Sequence, residues 1–427
     1  MILLAATLLF APMTQDSLTL AWVHARTTAA DPRRGQSDQL AAASEQRAAV
    51  LRSARLPQFA VRAQATHQSD VTRVNLPGAA IAPPPRDRWQ AVVQADQLLI
   101  DGGVIDGRVA LESARLLEQQ AGVRVAQYAL RGEAEVNFFG AWLLQERLAE
   151  LDAVTEDLTM RLGEVRARVR EGVALPRDTA AIDAERLTVL RRRAETDAQR
   201  RAAIVVLSRL TDSTLAPDVR IAAPSLGSVV DAIATGAIDT LRSRPEFAQL
   251  KATQDRLARE AALAASENRP TLSAFVEGGF GRPGLNQFEP DPAAFWQGGV
   301  RVTWRPWTWA SAERSANALR TQGDVVAADA LALAARLSRA VEADLAMIRH
   351  LREGFADDAR LITLRAEIEQ TARAELGEGI ITAARYVEAR TDLAEARLAE
   401  RRHRAELVRA EAAFLTTLGI ALPAARE

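Results

Sequence analysis

Cysteine is absent from this 427-residue chain, which excludes disulfides, thiolate metal sites, Fe–S clusters and an N-terminal lipidated cysteine. Lysine occurs once, as Lys251, and arginine carries the remaining basic charge, a bias that with abundant alanine reads as GC-rich coding. An excess of one charge sign is missing too: 54 basic side chains stand against 55 acidic ones, so nothing argues for nucleic acid as a partner. No apolar run reaches the roughly 18 residues a spanning helix needs, so any membrane crossing falls to strands. The histidines, His24, His67, His350 and His403, are scattered without H-E-x-x-H spacing, and no metal site or cofactor is expected. Gly279-Phe280-Gly281-Arg282-Pro283-Gly284 fits the dinucleotide pattern G-x-G-x-x-G. Pro283 and the loop over 286–292 stand where the phosphate-binding helix would have to start, so the segment reads as a loop tip. With no nucleophile, metal or phosphate constellation, the chain is not expected to be an enzyme.

What is present begins with four short alternating segments. Phe59, Val61, Ala63 and Ala65 interleave with Gln58, Arg62, Gln64 and Thr66, and Trp89, Ala91, Val93 and Ala95 with Gln90, Gln94 and Asp96. Leu272, Ala274, Val276 and Phe280 then alternate with Thr271, Ser273 and Glu277, and Trp296, Gly298, Val300, Val302 and Trp304 with Gln297, Arg301, Thr303 and Arg305. Alternation with period two gives each strand one apolar and one polar face. Strands of about ten residues with that pattern suit a transmembrane barrel with lipid outside and water inside. Four strands cannot close a barrel, so other copies of the chain must supply the rest. In this reading Arg62, Gln64, Gln94, Asp96, Glu277, Arg301 and Arg305 face the lumen. Phe59, Val61, Trp89, Val93, Trp296, Val300, Val302 and Trp304 face lipid or its interface, and Trp307 and Trp309 extend the aromatic belt.

No proline falls between Pro85 and Pro176 or between Pro306 and Pro423, and most of each interval has helical periodicity. Leu144, Leu148, Leu151, Leu158, Leu162, Val165 and Val169, and then Leu333, Leu337, Val341, Leu345, Ile348, Phe355 and Ile362, recur at coiled-coil spacing. A helix over 104–170 would be roughly 100 Å long and must pack against partners of similar length. Glycine ends both long helices, at Gly172-Val173-Ala174-Leu175 and Gly379-Ile380-Ile381-Thr382, where a left-handed turn reverses the chain. The two halves read as an internal two-fold sequence repeat, with Trp89 and Trp296, and Gly172 and Gly379, both 207 residues apart. Pro32 and Pro57 match Pro245 and Pro270 at a separation of 213 residues, the first inter-strand loop being longer.

The expected organisation is a signal peptide over 1–14, a first repeat over 15–213 and a linker over 214–243, then a second repeat over 244–420 and a tail over 421–427. Strands are expected at about 57–67, 88–100, 271–280 and 296–306, and helices over 104–170, 177–210, 310–376 and 382–418.

Leu99-Ile100-Asp101-Gly102-Gly103, Arg244-Pro245-Glu246-Phe247, and Gly379-Ile380-Ile381-Thr382 with Glu388-Ala389 resemble, in order and spacing, the motifs of the TolC-like outer-membrane efflux and secretion channels. The resemblance covers nearly the whole mature chain. It implies a mainly α fold with a transmembrane β portion: long antiparallel coiled-coil hairpins forming a trimeric α-barrel, topped by a shared twelve-stranded β-barrel with four strands per chain. It further implies a passive homotrimeric duct in the bacterial outer membrane, helical part in the periplasm, served by a periplasmic adaptor and an inner-membrane efflux or secretion transporter. Gly172, Val173, Ala174, Leu175, Gly379, Ile380, Ile381 and Thr382 would be the adaptor-docking turns. Arg385 and Glu388, with Asp178 at the position matching Arg385, would form the periplasmic aperture. Trp307 and Trp309, where the first half has Asp-Gly-Gly, mark a departure from the family pattern at the second strand-to-helix junction. The alternative is a periplasmic coiled-coil scaffold or adaptor without a channel of its own.

Overall fold

The computed structural model describes residues 17–420 except 73–74, 77–78, 81–82, 235, 237–240, 288 and 290. The expected signal peptide and the tail over 421–427 lie outside the described residues. Among the described residues no helix is long and apolar enough to cross a membrane. The order helix, strand, strand, long helix, shorter helix occurs twice. Helices α1 (Leu20–Ala30) and α2 (Gln36–Ser53) precede strands β1 (Gln58–His67) and β2 (Asp87–Ile100), then α3 (Val104–Arg170) and α4 (Pro176–Leu210). After α5 (Gly227–Ala234) come α6 (Pro245–Ser266), β3 (Thr271–Arg282), β4 (Ala293–Thr303), α7 (Ser311–Glu378) and α8 (Ala383–Leu418). A two-residue strand pair, Asn75–Leu76 with Ala79–Ala80, lies between β1 and β2.

The chain divides into two compact units. One comprises Gly35–Gly122 and Ala248–Ala330, the other Met1–Arg34, Val123–Phe247 and Leu331–Glu427. In the first, β1 to β4 form one antiparallel sheet in chain order. Its register gathers the alternation onto common faces: Val61 pairs with Val93, Val93 with Gly278 and Gly278 with Trp296. The face carrying these residues has charged groups only at one end, where His67 pairs with Asp87 at 2.7 Å and Arg282 closes β3. Phe59, Val61, Trp296, Val300 and Val302 lie exposed on it. The opposite face carries Arg62, Gln94, Asp96, Glu277 and Arg301. There Arg62 donates to Gln94 at 2.9 Å, Gln94 donates to Asp96 at 2.7 Å, and Gln297 donates to Glu277. The Arg301 guanidinium lies 4.9 Å from the Phe275 ring centre, so long side chains are held along the wall. β4 begins and ends earlier than the alternation alone suggests: the Trp304 indole donates to the Asn268 carbonyl at 3.1 Å, and Pro306 then bars further pairing.

Two junctions turn strand into long helix. At the first, Gly102 and Gly103 have φ of 64° and 86°, and the Asp101 carboxylate accepts the N–H groups of Gly103 and Ile105 at 3.0 and 2.8 Å, capping α3. At the second, the motif is lost but the backbone path is kept: Trp309 and Ala310 have φ of 55° and 58°. Left-handed backbone costs a side-chain-bearing residue about 1 kcal/mol. Ala310→Gly is therefore expected to raise the heat-unfolding midpoint, by about 0.5–1 kcal/mol of stability. An unchanged midpoint would mean that no strain is stored there.

In the second unit the coiled-coil spacing becomes two apolar clusters. One gathers Phe138, Phe139 and Trp142 of α3, Leu337, Val341 and Ile348 of α7, and Phe414, Leu415 and Leu418 of α8. The other gathers Val154, Leu158, Leu162 and Val165 with Ile182, Leu376 and Tyr386, close to the helix turns. Leu144 and Leu148 remain half-buried.

Candidate functional site: the helix tips

Both hairpin turns close in the same way. Gly172 and Gly379 have φ of 79° and 76°. The N–H of Gly172 reaches the Val169 carbonyl at 3.1 Å and that of Val173 reaches Arg168 at 3.0 Å, while Gly379 and Ile380 reach Leu376 and Glu375 at 3.1 and 2.8 Å. This is the glycine-dependent cap that satisfies the last helical carbonyls. It leaves Val173, Leu175 and Ile380 exposed at the ends of the hairpins.

The turns are also stitched to each other. Asp178 accepts the Leu175 N–H at 3.3 Å within its own helix start and the Ala383 N–H at 3.2 Å from the start of α8. A carboxylate shared between two helix N-termini is favoured by both dipoles. In return, the Arg168 guanidinium donates to the Leu376 carbonyl near the end of α7 at 2.5 Å. Asp178 is thus engaged in capping, while Arg385 pairs with Glu388 one turn along α8 at 2.5 Å, both side chains exposed. Arg385 and Glu388 line an open groove of about 640 Å³ between α7 and α8, together with Ile368, Ala372, Ile381 and the Arg365–Asp392 pair at 2.6 Å.

Below the turns lies a cluster that sequence reasoning missed. Asp157 of α3, almost wholly buried, accepts the Tyr386 hydroxyl at 2.7 Å and Arg390 Nε at 3.1 Å, both from α8. Arg373 of α7 sits 3.5 Å from the same carboxylate and 2.8 Å from buried Glu369. Arg161 adds a contact at 3.8 Å and pairs outward with Glu164 at 2.6 Å. One carboxylate therefore ties three long helices together. Burial, then the hydrogen bond and charge of Asp157, push the Tyr386 phenol far above the ordinary tyrosine range, so it remains a donor throughout physiological pH. The available signal was Arg390 falling among Tyr386, Ala389 and Leu393 on the apolar stripe of α8, a charge where only a paired one is tolerated.

The sheet carries the other residues singled out in the sequence. Phe59, Val61, Trp89, Val93, Trp296, Val300 and Val302 share one face, with Trp304 just past its edge, and among the described residues no cluster able to hold a metal ion occurs.

A four-stranded antiparallel sheet, apolar on one face, whose strands lead through glycine-type junctions into two coiled-coil hairpins, is the fold of the TolC-like outer-membrane channels, and this chain has that fold. By sequence it matches no family model and no curated protein. Among solved structures it is similar to the channel-forming CusC, with TM-score 0.72 and 13% identity over 94% of this chain and 92% of that one. It is also similar to the outer membrane protein VceC from Vibrio cholerae, with TM-score 0.68 and 12% identity over 94% and 96%. The CmeC outer membrane channel of Campylobacter jejuni gives TM-score 0.65 and 12% identity over 95% and 87%.

Proposed function

We propose that the chain is one subunit of a homotrimeric outer-membrane exit duct, carrying substrates delivered by an inner-membrane transporter and a periplasmic adaptor and doing no chemistry itself. The sheet carries this reading: its exposed apolar face, charged only at one end, runs across all four strands, and among the described residues its outer strands β1 and β4 have no partner on their far sides. An unpaired edge beside an apolar face is untenable in water and in lipid alike. β1 and β4 run in opposite directions, so copies add head to tail in antiparallel pairing, and three copies supply twelve strands. The fold likeness to outer-membrane channels supports the location and the passive role.

In this reading the exposed apolar tips Val173, Leu175 and Ile380, with Gly172, Ala174, Gly379, Ile381 and Thr382, receive the adaptor. Arg385 and Glu388 narrow the periplasmic aperture, while the Asp157 cluster holds the helices that frame it. Asp178 supports the aperture as a cap. The scaffold alternative leaves a broad apolar sheet face with nothing to cover it and is not favoured. Fractionation tests the proposal: the protein is expected to stay with outer membranes in high salt and to need detergent for release. Release by salt alone would refute it. Arg385→Ala and Glu388→Ala are each expected to raise conductance of the resting channel several-fold, since facing charges in a narrow pore interact strongly. Unchanged conductance would remove both residues from the aperture.

A further inference from the structure

The junction Gly102-Gly103 is covered from within the same chain. Arg269, two residues before β3, lies so close that a Cβ placed on Gly102 would stand 2.6 Å from the Arg269 Cβ, and Arg269 Nη1 donates to the Gly102 carbonyl at 2.9 Å. The second junction follows β4, whose far edge is open among the described residues. By the spacing of 207 residues Gly102 corresponds to Trp309, and by the spacing of 213 Arg269 corresponds to Leu56. Arg269-Pro270-Thr271 and Leu56-Pro57-Gln58 are also alike in placing proline just before the strand. Trp309 is 79% exposed and Leu56 61% exposed within one chain.

We propose that β4 of one copy pairs with β1 of the next in the register that β2 makes with β3, so that Val302 faces the neighbour's Ala63 and Trp309 packs on the neighbour's Leu56. This rests on the ring of copies proposed above and adds its seam. The β2–β3 pairs Ala95 with Val276 and Gln94 with Glu277 map to Val302 with Ala63 and Arg301 with Gln64. Val93 with Gly278 maps to Val300 with Ala65.

Nothing in the two offsets obliges the faces to agree, yet they do: apolar residues meet apolar ones, and polar Thr303 and Arg301 meet Arg62 and Gln64. A slip of one residue would reverse every one of these. Trp309 has the Cβ that Gly102 lacks, so the seam stands about 1–2 Å wider there, leaving indole and leucine in ordinary contact. Burial of the indole against Leu56 accounts for a tryptophan kept in left-handed backbone, and a polar arginine cover inside the chain becomes an apolar one between chains.

The cysteine-free chain allows a clean test. Leu56→Cys with Trp309→Cys, and separately Ala63→Cys with Val302→Cys, are introduced into the full chain and oxidised in isolated outer membranes, with Ala63→Cys with Val300→Cys as the slipped pair. Both in-register pairs are expected to give covalent dimers and trimers, with trimer the largest species, at least roughly ten times more than the slipped pair, because disulfides demand close Cβ atoms. Should Trp309→Cys impair folding, the Ala63/Val302 pair decides alone. Crosslinking of the slipped pair in preference overturns the register. An oligomer by light scattering in which neither in-register pair links overturns the seam and leaves the ring standing, whereas a monomer in detergent removes the ring and the seam with it.

Discussion

Asp157→Ala is expected to loosen the helix tips more than any other single truncation, lowering the heat-unfolding midpoint and raising the open fraction of the channel in the same protein. The substitution removes the acceptor of Tyr386 and Arg390 and leaves a guanidinium that is 5% exposed without its carboxylate. Breaking a buried pair from one side costs about 3–5 kcal/mol. Tyr386→Phe, which deletes one hydrogen bond to a charged acceptor, should cost less, about 1.5–3 kcal/mol. Adding Arg390→Ala to Asp157→Ala should return part of the loss, because the stranded charge is then gone. Thermal melts and bilayer recordings of the four proteins check this together. Equal effects of Asp157→Ala and Tyr386→Phe would show that Arg390 does not depend on the carboxylate.

Val93→Arg is expected to abolish stable insertion. Val93 lies mid-strand on the apolar face, opposite Val61 on one side and Gly278 on the other. An arginine facing lipid near the midplane costs about 2–4 kcal/mol per copy, and a ring repeats that cost in every subunit. Gln64→Arg, on the opposite face, leaves the new charge in water and should insert normally. The yield of detergent-requiring oligomer in outer membranes measures both. Normal insertion of Val93→Arg would mean that this face does not meet lipid.

Much of this was legible before any coordinates. Alternation identified all four strands because one face stays apolar over several residues while the charged side chains fall on the other, and the glycines at 172 and 379 marked the turns because left-handed backbone selects glycine. The same logic hid the second junction: Trp309 and Ala310 adopt that backbone without the residue that advertises it. Strand ends were less legible, since the Trp304 indole bond to Asn268 is a contact between segments 36 residues apart. The Asp157 cluster escaped because periodicity counts apolar residues, and a buried ion network is written in the positions such counting discards. Asp178 had been placed beside Arg385 by the repeat alone, whereas the cap it makes to Ala383 depends on how the two turns meet.

Planar-bilayer recording of the purified wild-type protein beside Asp157→Ala tests the central claim most directly. The account predicts discrete conductance steps of one unit size from the wild type and larger or longer openings from the variant. Two silent proteins, each shown to have inserted, would contradict it.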